Sequence, residues 1–452
     1  MLNWIWLSFL LIAVLVGGFT GRLPEMTKGA FDTAETAVMK IALPLIGIWA
    51  IWLGIMRLAE QSGLVQLLAK ALRPLMRRLF PEVPPDHPAI GAMILNMAAN
   101  MLGLGNAATP LGLRAMAHLE RLNPHPGIAT NAMCTFLAIN TASIQLIPTT
   151  AIGILAVAGA QNPVAIVPTA FMATLCAACC GVISAKVLER LPVFKVSPSQ
   201  VTNRASTTET AQSENDVLAL DQVTARPLPR WGAFALLLFL LAFAGMFAVL
   251  AFPDTLHTLS IQTPPSPADL VGKPPHIRCL YAIAILAVPF MLSFFPLYAA
   301  LRGVRVYEQF VEGAKEAFAT AQRVIPFLVA MLLSISLLRN AGVIDLLTNF
   351  LRPLFNLIHF PAELLPMVLM RPLSGSATQG IFVELVNRLG PDTLVSRIAG
   401  TIYGSTETTF YVLAVYFGSV AVRQTRHAVL AGLIADTVAV VASITVCHVM
   451  FG

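Results

Sequence analysis

Asn96-Met-Ala-Ala-Asn-Met-Leu-Gly-Leu-Gly-Asn-Ala-Ala-Thr-Pro110 is a polar, glycine-broken insert within a segment, 90–116, that is otherwise apolar enough for a membrane interior. Hydrocarbon supplies no water to bare backbone groups, so non-helical backbone survives there only where protein or a wet cavity satisfies it. Gly103 and Gly105 are poor helix-interior residues, and Asn106 or Thr109 can cap a new half-helix with Pro110 in its first turn. The stretch therefore predicts two half-helices meeting at a polar break. Asn96, Asn100 and Asn106 donate and accept hydrogen bonds without carrying charge into low dielectric, which suits a site for a polar solute or ion. Helix-to-helix adhesion by small and amide side chains is the plainer use of the same residues.

The surrounding composition fixes the class. Of 452 residues, 57% are hydrophobic and 12% charged, and the mean hydropathy is +0.76, against roughly 25% charged in an ordinary soluble domain. The sequence is that of an all-α polytopic membrane protein, expected in a bacterial cytoplasmic (inner) membrane with lipid as its main surroundings. The formal charge of +6 comes from basic residues in short loops beside apolar spans, where they orient topology; nucleic acid is not a partner. The six cysteines form no disulfide framework. Cys176, Cys179 and Cys180 have a C-x-x-C spacing with no second ligand pair or histidine beside them, so they read as packing.

Along the chain, 4–20 reads as a retained helix, since it lacks a basic leader region and a small-residue cleavage site. A second span, 37–56, precedes an amphipathic helix, 62–80, bearing Lys70, Arg73, Arg77 and Arg78. The broken segment follows, then 128–158 with its own polar residues Asn131 and Asn140-Thr-Ala-Ser-Ile-Gln145, then 164–188. Residues 197–230 turn abruptly to Ser, Thr, Gln, Asn and Pro and read as a linker. Spans at 231–251 and 280–301 flank a Pro-rich loop, 252–278. Beyond them come 325–338, an amphipathic 342–358, broken segments at 365–386 and 398–420, and a last span, 429–450. The expected units are 1–192, a linker 193–230, and 231–452.

Gly63-Leu-Val-Gln-Leu-Leu-Ala-Lys-Ala-Leu-Arg-Pro-Leu75 aligns without a gap on Gly342-Val-Ile-Asp-Leu-Leu-Thr-Asn-Phe-Leu-Arg-Pro-Leu354. Each copy follows a proline-containing span and precedes polar breaks. Those of the second half are Arg371-Pro-Leu-Ser-Gly-Ser-Ala-Thr-Gln-Gly380 and Gly404-Ser-Thr-Glu-Thr-Thr409. Duplicated halves with interrupted helices in matching positions are a transporter's best pointer to its binding site. The candidate solute contacts are Asn96, Asn100, Asn106, Thr109, Asn140, Thr141 and Gln145 from the first half. Ser374, Ser376, Thr378, Gln379, Ser405 and Thr406 come from the second, and the breaks are expected to converge on one central cavity.

Two arrangements of the halves are physically allowed. If every apolar segment crosses, the halves are parallel, and Lys186, Arg190, Lys195, Arg302 and Arg305 fall outside. If the first broken segment of each half is a re-entrant hairpin, those residues fall inside with Arg114, Arg121, Arg423 and Arg426. The halves are then inverted, with the N-terminus inside. The positive-inside rule favours the second arrangement.

The motif 96–110 together with Phe136-Leu-Ala-Ile-Asn-Thr-Ala-Ser-Ile-Gln-Leu-Ile-Pro-Thr149 resembles the spore maturation protein A family. Arg371-Pro-Leu-Ser-Gly-Ser376 with Gly404-Ser-Thr-Glu-Thr-Thr-Phe-Tyr-Val-Leu413 and Tyr416-Phe-Gly-Ser419 resembles the spore maturation protein B family. Together they cover nearly the whole chain outside the linker, as in a natural fusion. The resemblance implies membership of the nucleoside recognition, or Gate, superfamily, shared with concentrative nucleoside transporters and the membrane part of ferrous-iron transporter B. It implies transport without naming a substrate.

Glu407 lies inside a break in an apolar span, where an ionised acid costs about 2.5–3.5 kcal/mol on insertion scales. It is a candidate to pair with Arg371, to couple transport to a proton or sodium ion, or to bind a cation; Asp436 is a second buried acid, with no helix break beside it in sequence. The leading function is a permease for a small polar solute working by alternating access around the breaks, with no bound cofactor and with homo-oligomers allowed. A membrane scaffold or a passive channel is the alternative. An enzyme is disfavoured, because no G-x-S-x-G, H-E-x-x-H or phosphate-binding loop occurs and the eight histidines are dispersed.

Overall fold

The computed structural model describes residues 2–85, 87–103, 105–194, 227–253, 274–343, 346 and 360–451. The linker from 195 to 226, most of the 252–278 loop, and all but Gly342, Val343 and Leu346 of the second amphipathic segment lie outside them, as does the side chain of Asn106. The elements of the described residues are all helices, and six of them are long and apolar enough to cross a membrane. This is a multi-pass membrane protein.

Helix α1 (Leu2–Phe19) is followed by α2 (Leu23–Glu35), which runs through a π-helical turn, Thr36–Ala42, into α3 (Leu43–Gln61). The expected span 37–56 is thus part of a 39-residue rod. Its charged start lies outside the expected spans; in the helix Glu25, Lys28 and Asp32 are exposed while Met26 is buried beneath them. The likewise underestimated span 325–338 belongs to α12 (Val306–Asn340). These two long helices run antiparallel and touch backbone to backbone: a Cβ on Gly313 would sit 2.6 Å from the Leu53 carbonyl oxygen.

The amphipathic helix α4 (Leu64–Leu79) leads to α5 (Pro88–Met101) and α6 (Gly105–Arg121), which fold back on each other. Their outer ends lie together, with the rings of His87 and His118 6.1 Å apart. Helices α7 (Asn131–Ala142) and α8 (Thr149–Val157) are the two pieces of one broken segment, followed by α9 (Ile166–Leu188). Helices α10 (Arg230–Ala251) and α11 (Pro275–Leu301) pack on each other through Phe239, Phe243, Phe290 and Phe294. After α12 come the short α13 (Leu365–Met370) and α14 (Gly375–Leu389), the broken pair α15 (Leu394–Ser405) and α16 (Thr409–Ser419), and α17 (Ala428–Phe451).

The packing is reciprocal. Helix α9 lies along α17, with Gly181 against Ala435, while α7 packs on α17 and α15 packs on α9. One end of the molecule gathers the starts of α5 and α7 with the ends of α6, α9 and α16. There Asn131 donates to Glu82 at 2.9 Å, Arg426 to the Phe194 carbonyl at 2.8 Å, and the Arg423 amide to the Gly127 carbonyl at 2.9 Å. Asn131 is therefore an end residue rather than part of the inner polar insert. At the opposite end the Gln161 amide donates to Asp392 at 3.1 Å, and the Arg397 guanidinium lies 4.6 Å from the Phe451 ring centre.

Candidate functional site

A broken helix leaves carbonyls at the C-terminus of its first piece and amides at the N-terminus of its second, all needing partners. Here the protein supplies many of them. Helix α7 ends where Ser143 turns into the left-handed region (φ +36°), and the Thr174 hydroxyl of α9 caps the Ala142 carbonyl at 2.6 Å. Within the first half, the Leu146 amide donates to the Met101 carbonyl at 3.0 Å; within the second, the Phe410 amide donates to the Pro372 carbonyl at 2.9 Å. Each half thus ties its two breaks together in the same way. Between halves, the Glu407 amide donates to the Thr141 carbonyl at 2.7 Å, and Gly404 is pressed so close to Pro148 that a Cβ there would meet the proline at 2.5 Å.

Around these contacts lies a cavity of about 110 Å³ whose walls include Gln145, Thr150, Arg371, Gly375, Tyr403 and Glu407. Residues from three of the four breaks line it. Arg371 is 5% exposed; its Nη2 donates to the Tyr403 carbonyl at 3.0 Å, its guanidinium lies 4.9 Å from the Tyr403 ring centre, and its Nε has no partner. The pairing of Arg371 with Glu407 considered from sequence is not formed: among the described residues no ion pair joins them. The guanidinium satisfies the carbonyl freed at the end of α15 instead. The first turns of α8 and α14 also face the cavity, through Thr150 and Gly375.

The first-half asparagines build a neighbouring network. Asn96 donates to the Ala108 carbonyl at 2.7 Å and to the Tyr416 hydroxyl at 3.3 Å. The Asn140 side-chain oxygen accepts from Asn100 at 3.1 Å and from Tyr416 at 3.4 Å, while its amide donates to the Phe136 carbonyl at 2.9 Å. Asn96 and Asn140 are buried, and Tyr416 of the second half bridges them.

The other expected residues divide by what their polar atoms do. Ser374 caps α14, accepting from the Ala377 amide at 3.2 Å, and lies 3.3 Å from Ser376; Thr378 donates back to the Ser374 carbonyl at 2.7 Å, and Ser405 to the Ile402 carbonyl at 3.1 Å. These hydroxyls serve their own helices. Gln379 is buried with its Nε2 unpartnered, Thr406 is buried in the second-half break, and Thr109 is half-buried on α6. Helix α6 starts at Gly105, so Pro110 lies inside it rather than in its first turn. Asp436 is not remote from a break as its sequence position suggested: Thr409, the first residue of α16, donates to it at 2.6 Å, and its other oxygen is buried without a partner. Tyr416, Tyr403 and Thr174 were not anticipated. Tyr403 immediately precedes the Gly404 break, and Tyr416 stands in a quoted motif, so position alone could have flagged both.

A family model described as Gate, nucleoside recognition, matches residues 42–187 and 321–423. Spore maturation protein A of Bacillus subtilis (strain 168) is 42% identical over 175 residues, covering 39% of this chain and 89% of that protein. Spore maturation protein B of the same organism is 41% identical over 170 residues, covering 38% of this chain and 96% of that protein. No solved structure matches.

Proposed function

The chain belongs to the nucleoside recognition (Gate) family, and from that premise we propose that it is a membrane permease for a small polar solute, working by alternating access around its broken helices. The observation that carries this reading is the cavity where Gln145 of one half faces Arg371 and Glu407 of the other. A static scaffold has no need of charged groups there. Helices α15 and α16 have 12 and 11 residues, about 18 and 16.5 Å at 1.5 Å per residue, lengths that support a break near the middle of a ~30 Å hydrocarbon layer.

In this reading 1–192 and 231–452 are inverted repeats, and α5–α6 and α13–α14 are their re-entrant hairpins. The end bearing Arg121, Lys186, Arg190, Arg423 and Arg426 faces the cytoplasm, as the positive-inside rule requires. The N-terminus is inside, and the membrane is the bacterial inner membrane. Glu407 is the coupling residue for a proton or sodium ion, with Asp436 behind Thr409 as the second acid. A nucleoside is not the favoured cargo. A cavity of about 110 Å³ is smaller than the ~150 Å³ void that accepts a benzene ring. The reading is tested by metabolite profiling of cells lacking or overproducing the protein, followed by counterflow in liposomes. Saturable exchange of a small polar solute supports it; absence of flux for every solute that changes in the cells opposes it.

A further inference from the structure

We propose that the cavity recognises a small zwitterion of the α-amino acid class, its carboxylate held by Arg371 and the first turns of α8 and α14, its ammonium by Glu407. The assignment rests on the permease reading for its biological use, but not for its chemistry. Arg371 is 95% buried, by its 5% exposure, and lines the cavity; its Nη2 is taken by the Tyr403 carbonyl, while its Nη1 lies toward the cavity-lining Gly375, 3.8 Å from where a Cβ on that glycine would sit. A buried guanidinium nitrogen without an acceptor is costly, and a carboxylate is the planar acceptor that its fork fits best. Two helix N-termini converge on the same space: α8, whose Thr150 and Ala151 line it, and α14, whose Gly375 lines it. Free amides and the positive end of a helix dipole favour an anionic group. Three independent features therefore attract one carboxylate.

Glu407 sits on the same wall and makes no ion pair among the described residues. A simple anion would leave its carboxylate unpaired in low dielectric, and a simple cation would leave Arg371 so. A solute carrying both charges, with zero net charge, matches the pair and enters without adding charge to the membrane interior. The volume, about 110 Å³, suits a solute with a small side chain such as a hydrogen or a methyl group. The Gln145 side chain, from the opposite half, adds an uncharged donor and acceptor beside them.

The test is binding to the purified full-length chain in detergent, read by thermal shift and titration calorimetry, with glycine, alanine, glycolate and glycinamide as probes. Glycolate lacks the ammonium and glycinamide the carboxylate. Glycine or alanine should bind roughly tenfold or more tighter than either one-charge analogue, as expected for losing a charge-assisted contact. Glu407→Gln should erase the preference for glycine over glycolate, and Arg371→Gln the preference over glycinamide. The analogue series needs no mutation, so it decides even if a variant fails to fold. Glycolate or glycinamide binding as tightly as glycine overturns the assignment. Counterflow in liposomes separates the two claims. Flux of another solute without glycine or alanine binding overturns the zwitterion site alone, whereas glycine binding without flux of any solute sustains the site and overturns the permease reading.

Discussion

Glu407 donates its backbone amide to the Thr141 carbonyl at 2.7 Å, so the break of one half is completed by the break of the other. Its side chain meanwhile lines the cavity. One residue therefore joins the contact between halves to the charge at the site, and any motion of the halves past each other must remake that bond.

The side-chain role of Glu407 is separable from its backbone role. Glu407→Gln keeps the amide bond to Thr141 and the side-chain shape but removes the charge. The variant is expected to insert and fold, to exchange solute across liposomes with the weaker affinity that loss of the ammonium contact brings, and to lose the dependence of net transport on a proton or sodium gradient. Undiminished gradient-driven transport would leave Asp436, or no acid at all, as the coupling site. Failure to accumulate, rescued by adding Arg371→Met, would make the two charges a structural brace.

The asparagine network depends on one hydroxyl. Tyr416→Phe removes the bridge between Asn96 and Asn140 and is expected to cost about 0.5–1.5 kcal/mol, since Asn96 keeps the Ala108 carbonyl and Asn140 keeps Asn100. Gly112→Ala places a Cβ against the same tyrosine and should cost more, about 1–3 kcal/mol. Thermal melts of the two variants and their double check this: once the hydroxyl is gone, the steric cost of Gly112→Ala should remain.

Sidedness follows from the charges at the ends. In a functional cysteine-free background, Thr263→Cys should react with an impermeant thiol reagent in intact cells, and Ser206→Cys only after permeabilisation. Labelling at Ser206→Cys in intact cells would reverse the orientation.

His427 supplies a pH dependence. It is fully buried just before α17, its ring packs T-shaped with that of Phe194 at 5.9 Å, neither ring nitrogen has a partner, and burial, then Arg426 and Lys186, push its pKa from 6.5 down to about 4. As pH falls below 6.5 the unfolded chain takes up a proton that the folded one refuses, so stability drops until about pH 4 and then levels off. Melting temperature should fall across this window in the native protein and fall less in His427→Phe. Equal slopes would remove His427 as the cause.

The sequence made the breaks legible because Gly, Pro, Asn and a charge in an apolar run are costly without compensation. Gly103, Arg371 and Glu407 announced themselves in this way. Helix extent was less legible: the stretch with Glu25, Lys28 and Asp32 fell outside the expected spans, because a charged first turn looks alike whether it caps a long helix or connects two short ones. Partners were least legible. Nothing near Asp436 in sequence reveals Thr409, and nothing near Arg371 reveals that the Tyr403 carbonyl would take its Nη2, since both contacts depend on how separate helices pack. The hydroxyls of Ser374, Thr378 and Ser405 stand out in sequence, but their bonds to their own helix backbone depend on where each helix starts and ends.

The most direct test of alternating access is to lock the two halves at their breaks and measure flux. Gly404 and Pro148 face each other, a Cβ on the glycine falling 2.5 Å from the proline, so a small outward shift brings Gly404→Cys and Pro148→Cys to disulfide distance. In a cysteine-free variant reconstituted in liposomes, solute counterflow by this pair should be lost on oxidation and return on reduction, while Pro148→Cys alone is insensitive to the oxidant. Undiminished counterflow with the cross-link formed to completion would contradict the account.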